Sequence, residues 1–153
     1  KIWKPLGMEF SASWSIDSEE SGFEKMESGI NARAIDFAKM GRLFLNNGNW
    51  NGRQIISEQW VEESTMRDTA EPRDYYSIPG WWGSFFESGK GYYKYMWWGY
   101  SRGESEYDFF ASGHLGQFIY VCPQKKLVIV RHGKKRGAID WWPELFYSAA
   151  DRM

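Results

Sequence analysis

The chain has 153 residues, a net charge of −1 from 19 basic and 20 acidic side chains, and one cysteine. That length suffices for one domain with a real core, and the balanced charge argues against a nucleic-acid or anionic-membrane surface. The lone Cys122 excludes a disulfide framework and reads as a buried structural thiol within a strand. No apolar run is long enough to span a bilayer. The opening Lys1-Ile2-Trp3-Lys4-Pro5 shows no signal peptide and reads as a start inside a longer polypeptide. The aromatic load of 10 Trp, 9 Tyr and 10 Phe fits a large aromatic core and cleft, or alternatively a sugar-binding platform.

Residues 1–30 read as loop-rich. Asp17, Glu19 and Glu20 make an acidic patch, but hard cations need converging ligands and nothing in the spacing fixes them. Gly29-Ile30-Asn31 then leads into a predicted helix of about four to five turns, with Ala34, Phe37, Ala38, Gly41, Phe44 and Leu45 on one face. Asn31 is the expected N-cap and Gly48 the expected stop. Trp50-Asn51-Gly52-Arg53 predicts a two-residue turn, and Ser57 caps a short helix starting at Glu58-Gln59-Trp60-Val61. The stretch 66–91, with Pro72, Pro79, Gly80, Gly83, Gly89 and Gly91, reads as irregular and mobile. Tyr92 to Tyr100 reads as one strand by its aromatic enrichment, and Arg102 to Glu106 as a charged turn.

Tyr107 to Gly133 is the stretch around which the rest is organised. Tyr107, Phe109 and Ala111 alternate with Asp108, Phe110 and Ser112, the period of a strand. Gly113-His114-Leu115-Gly116 makes a tight turn whose two glycines allow positive φ. Gln117 to Cys122 runs back, and Pro123-Gln124-Lys125-Lys126 turns again. Leu127-Val128-Ile129-Val130, apolar on both faces, predicts a central strand covered on both sides. Any chemistry should sit at the glycine turn. Lys134-Lys135-Arg136-Gly137 is a basic loop too short for a phosphate or nucleic-acid site. Asp140 opens a closing helix with Trp142, Leu145, Phe146, Ala149 and Met153 on one face and Pro143 in its first turn. No repeat or linker divides residues 1–153, so one domain is expected.

A strand ending Ala111-Ser112-Gly113, then a glycine turn and two antiparallel strands, resembles the β-lactamase and penicillin-binding-protein superfamily of serine hydrolases. The branch is the one with class C β-lactamases, esterases, D-aminopeptidases and 6-aminohexanoate-dimer hydrolases. Pro5-Leu6-Gly7-Met8, Ala12-Ser13-Trp14-Ser15-Ile16-Asp17, Asp36-Phe37-Ala38-Lys39-Met40-Gly41 and Trp50-Asn51-Gly52 match that branch in order. The resemblance implies an α+β fold, an antiparallel sheet flanked by helices that forms the C-terminal portion of an α/β/α sandwich. It also implies a small-molecule ester, amide or β-lactam substrate, no cofactor, no metal, and a periplasmic or other extracytoplasmic setting.

In that superfamily the third active-site motif is Lys-Thr-Gly. Here Ala111-Ser112-Gly113 stands in its place, followed by His114, whose backbone N–H would donate to the oxyanion. A rival register sets His114-Leu115-Gly116 on a His-x-Gly variant, with the Gln117 amide as donor; strand length and the short hairpin to Pro123 favour the first. Alone, His114 would read as an ordinary surface turn residue; beside Ser112, Gly113, Gly116 and Gln117 it reads as part of a site. Trp97 and Trp98 would be substrate walls, or else core packing. His132 has no such context, and two histidines with one cysteine at unrelated spacing make no zinc set.

Acyl transfer through serine also needs a nucleophile and a base within reach. The superfamily supplies them by Ser-x-x-Lys and Tyr-x-Asn, and neither motif occurs in this chain. The expectation is therefore a fragment of an enzyme, inactive alone, that carries half of an oxyanion hole. In the intact fold, N-terminal strands would pair beside Leu127–Val130. The isolated chain should then self-associate through that exposed edge, or hold a rearranged C-terminal helix over it.

Overall fold

The computed structural model describes residues 1–26, 28–68, 85–139 and 141–153. The part of the expected irregular stretch that spans 69–84, with Pro72, Pro79, Gly80 and Gly83, lies outside the described residues, as does Asp140. Two short hairpins come first: β1 (Ser13–Trp14) with β2 (Ile30–Asn31), and β3 (Asn49–Trp50) with β4 (Arg53–Gln54). Between them runs α1 (Ala34–Leu45), and after them α2 (Glu58–Thr65). A five-stranded antiparallel sheet follows in sequence order, β5 (Gly91–Lys94), β6 (Trp97–Ser101), β7 (Tyr107–Gly113), β8 (Gln117–Cys122) and β9 (Leu127–Arg131). The helix α3 (Trp142–Asp151) closes the chain. The fold is α+β, as the sequence implies.

Strand alternation sends side chains to two cores. Phe110, Phe118, Tyr120 and Cys122 pack with Phe85 and Phe86 and with Phe146 and Ala150 of α3. Phe109, Ile119 and Val121 pack on the other face against Phe44 of α1 and Val61 of α2. Helix α1 can lie close because Gly41 has no side chain: a Cβ there would stand 2.6 Å from Val128 Cγ1 and 2.9 Å from Ile119 Cγ2. A third cluster of Leu6, Leu43 and Trp50 ties the first segment to α1. The buried Asp36 carboxylate reinforces it by accepting the backbone N–H groups of Glu9 (2.7 Å) and Phe10 (3.2 Å).

Several local expectations need correction. Helix α1 has 12 residues, shorter than expected, and its N-cap is Arg33 without a side-chain bond; Asn31 is taken by the β1–β2 hairpin. At its other end the helix stops at Asn47 (φ +51) and the expected Gly48 (φ +80), both left-handed. Asn47 N–H donates to Phe44 O while Gly48 N–H donates to Leu43 O, a Schellman closure. Tyr92 to Tyr100 is a hairpin rather than one strand, turning at Tyr95 (φ +44) and Met96 (φ +71). Such a turn favours Asn-Gly, so the sequence gives no warning of it. Each bulky left-handed residue costs about 1–2 kcal/mol. The Ser57 cap and the Asn51-Gly52 turn stand where the sequence puts them, Ser57 Oγ accepting from Trp60 N–H at 3.2 Å. In α3 the buried face is Pro143, Phe146 and Ala150, while Leu145 and Met153 are exposed.

Strand β9 is covered on both faces, Val128 and Val130 toward α1 and Leu127 and Ile129 toward α3, yet it is the last strand of the sheet and not a central one. Its outer edge has no strand partner among the described residues. Unpaired N–H and C=O groups on an apolar strand template pairing with another chain. The 153-residue chain is therefore expected to scatter light as a dimer or larger species at micromolar concentration. Amides of residues 127–130 should become protected from exchange as concentration rises, and a monomer with freely exchanging outer amides would refute this.

Candidate functional site

Strand β7 is longer than the strand beside it. Pairing with β6 stops at Trp98↔Phe110, whereas pairing with β8 continues to Gly113↔Gln117. Ala111, Ser112 and Gly113 therefore present their β6 side without a strand partner among the described residues. Ser112 is half-buried; Gly113 and His114 are exposed. Gly116 N–H donates to Gly113 O at 3.2 Å, and the His114 N–H has no backbone partner among the described residues. An open strand edge followed by a free turn amide can receive an extended substrate and a developing negative charge. The positive φ values fall on Leu115 (+59) and Gly116 (+80), so Gly113 stays in strand geometry, contrary to the expectation that both glycines turn the chain.

A second loop braces this turn. The Arg131 guanidinium donates to Gly116 O, to Lys135 O at 2.8 Å and to Arg136 O at 3.0 Å, and lies 4.1 Å from the Trp142 ring centre. The Gln117 side chain grips Gly133 twice, donating to its carbonyl and accepting from its N–H at 2.9 Å. Two side chains thus weld the 113–116 turn to the 132–137 loop. Gln117, expected to touch substrate, has its amide engaged here. Arg131 carries no sequence signal, since a strand-end arginine ordinarily reads as solvated.

No protein-family model matches the chain. Over 145 residues, 94% of this chain, it is 27% identical to the 6-aminohexanoate-dimer hydrolase of Paenarthrobacter ureafaciens. A solved structure from Bacillus anthracis, a provisionally assigned 6-aminohexanoate-dimer hydrolase, superposes with a TM-score of 0.65 at 26% identity over 99% of this chain. Both likenesses support the β-lactamase-like serine hydrolase superfamily for this part of a chain. It spans 32% of the curated relative and 36% of the solved one, about a third of each.

Trp97 and Trp98 alternate to opposite faces. Trp97 packs on Phe44 (4.6 Å between ring centres) and Phe109 (5.3 Å), while Trp98 packs on Tyr93 (4.7 Å) and Phe85 (5.8 Å). One flat cleft wall therefore cannot use both. A Gly-x-Ser-x-Gly spacing, the mark of a different hydrolase fold, occurs at Gly99-Tyr100-Ser101-Arg102-Gly103. The structure removes its elbow meaning: Ser101 ends an antiparallel strand paired with Tyr107, no helix follows, and its Oγ donates to Gly103 O at 2.9 Å.

The sequence also hides a buried ion pair at the far end of β7. Asp108, fully buried, accepts from Arg102 Nε at 2.8 Å and Nη2 at 2.6 Å, and from the Tyr120 hydroxyl. Arg102 also binds Asp151 of α3 and lies 3.9 Å from the Tyr147 ring centre, so it fastens α3 to the sheet. Burial and the neighbouring Asp108 push the Cys122 thiol up to about 11, the behaviour of a structural thiol. His132 meets Phe37 edge-on with ring centres 5.0 Å apart, and desolvation there lowers its pKa. Asp17 holds its own loop by accepting from Ser21 Oγ and the N–H groups of Ser18 and Phe23. No group of three or more His, Cys, Asp or Glu among the described residues is placed to hold a metal. A cavity of about 880 Å³, lined by Thr65, Tyr92, Tyr107 and Glu106 among others, opens at the start of β7, the opposite end from Gly113. Among the described residues no helix is long and apolar enough to cross a membrane.

Proposed function

We propose that this chain is the C-terminal part of a serine hydrolase that opens ester, amide or β-lactam bonds through an acyl-serine intermediate. The observation that carries the reading is the open edge of β7 at Ser112-Gly113 with the unpaired His114 amide beyond it. Substrate lies along that edge, and His114 N–H donates to the carbonyl oxygen as it becomes an oxyanion. The nucleophile, its base and the second donor come from residues outside this chain, consistent with a span of about a third of the relatives' length. Both relatives bear the name of a hydrolase for the 6-aminohexanoate dimer, so an amide between aliphatic chains is the first substrate class to try. The rival binding-module reading wants coplanar exposed rings. The exposed pair Trp60 and Tyr95 is tilted by 36° instead.

The test is covalent labelling. A fluorophosphonate is expected to leave the 153-residue chain unlabelled, and to label the gene product that contains it once, at a serine outside these residues. Stoichiometric labelling of a serine within the chain, or none in the complete gene product, would overturn the proposal.

A further inference from the structure

The turn between β5 and β6 stands at the same end of the sheet as the open edge. Lys94 pairs with Trp97 and Trp98 with Phe110, so the Tyr95-Met96 turn lies just beyond the last rung between β6 and β7, at the end of the sheet that carries Ser112 and Gly113. Both turn residues hold positive φ, +44 for Tyr95 and +71 for Met96, a conformation that glycine or asparagine would adopt with less strain. Strain of this kind persists where neighbouring structure holds it, and it concentrates at ligand-binding sites. Here the side chains are held from outside the turn. Trp60 of α2 packs on Tyr95 at 5.4 Å between ring centres, and the Tyr93 hydroxyl donates to Met96 Sδ at 3.3 Å. Despite those contacts Trp60, Tyr95 and Met96 remain 45%, 54% and 55% exposed. The Lys94 ammonium lies 5.6 Å from the Tyr95 ring centre and is paired with Asp68 at 4.0 Å, so one neutralised ion pair borders an otherwise apolar surface.

We infer that the Tyr95-Met96 turn, backed by Trp60, is an apolar lip that grips an uncharged aliphatic chain of the substrate beside Ser112-Gly113-His114. The inference rests on the hydrolase reading for its catalytic meaning. An unbranched thioether and an aromatic ring adapt to a flexible methylene chain, and neither supplies a charge to fix a polar group. The lip therefore sets chain-length preference and leaves the chemistry to the turn.

The test uses the gene product that contains this chain, as wild type and as the double variant Tyr95→Asn/Met96→Gly, which keeps the turn while removing the apolar surface. Across p-nitrophenyl esters from acetyl to hexanoyl, wild type is expected to gain about tenfold or more in kcat/KM. The double variant should lose most of that gain through KM, with Tm equal or higher as the folding control. Unaltered chain-length dependence in the variant would overturn the lip. A second readout is independent of turnover: the Met96 methyl resonance should shift saturably with N-hexylacetamide and not with acetamide. A saturable shift without any ester turnover would sink the hydrolase reading and keep the lip. Absence of the shift would sink the lip even if esters are cleaved.

Discussion

Gly113→Val is expected to lower kcat/KM of the complete gene product by about 10²-fold or more, with little change in Tm. The scale is that of losing one oxyanion donor, since a branched side chain here displaces substrate from the neighbouring His114 amide. The backbone itself would tolerate the change, because Gly113 sits in strand geometry and is exposed. A Cβ at that position stands 3.2 Å from Gln117 Cβ and 3.7 Å from Gln117 O, tight but without backbone collision. The two γ-carbons of valine would then project over the part of β7 that no strand covers. Steady-state kinetics on a p-nitrophenyl ester, with Tm as the folding control, separate the effects. Unchanged kinetics at unchanged Tm would move the site to His114-Leu115-Gly116, with Gln117 N–H as the donor.

Asp108→Ala is expected to cost about 3–5 kcal/mol of stability, the loss seen when one partner of a buried ion pair is removed. For a chain of this size that corresponds to a Tm drop on the order of 10 °C. Arg102, only 10% exposed at its side chain, would keep its charge with Asp151 as its remaining carboxylate, and the Tyr120 hydroxyl would lose its acceptor. In the native chain burial alone would lower the Arg102 pKa, but its bonds to Asp108 and Asp151 outweigh that and hold it raised. Without Asp108 the guanidinium still cannot escape by deprotonating, because its intrinsic basicity is too high. Replacing both partners, Asp108→Leu with Arg102→Met, should recover much of the loss, because two apolar groups leave no orphaned charge. Denaturant melts of the single and double variants measure this. A single-variant loss under about 1 kcal/mol would show that α3 is fastened by Phe146 packing alone.

The candidate site at Gly113 was partly legible because a local pattern and a family resemblance converge on it: alternation in Tyr107 to Ser112 and a glycine turn beyond. The supports of that site were not. Arg131 reaches its carbonyls at Gly116, Lys135 and Arg136 only after β8 and β9 have paired, and no spacing in the chain announces a bond across that hairpin. Trp97 and Trp98 read as neighbours in one wall, yet strand pleating sends adjacent side chains to opposite faces. The single strand expected over Tyr92 to Tyr100 became a hairpin because packing of Tyr95 on Trp60 and Tyr93 on Met96 supports a turn that local preference disfavours.

By itself the sequence determined what depends on short-range geometry. The β7–β8–β9 meander, the Asn51-Gly52 turn, the Ser57 cap and the amphipathic α1 each follow from side-chain period or from one residue's backbone preference. It also determined the absence of Ser-x-x-Lys and Tyr-x-Asn. Tertiary structure alone decided which strand ends early, leaving Ala111 to Gly113 open, and which strand forms the rim of the sheet. It alone paired Asp108 with Arg102 and put the Tyr95-Met96 turn at the same end of the sheet as the open edge. These are questions of which distant backbones meet, and burial of both sheet faces answers them through the whole chain at once.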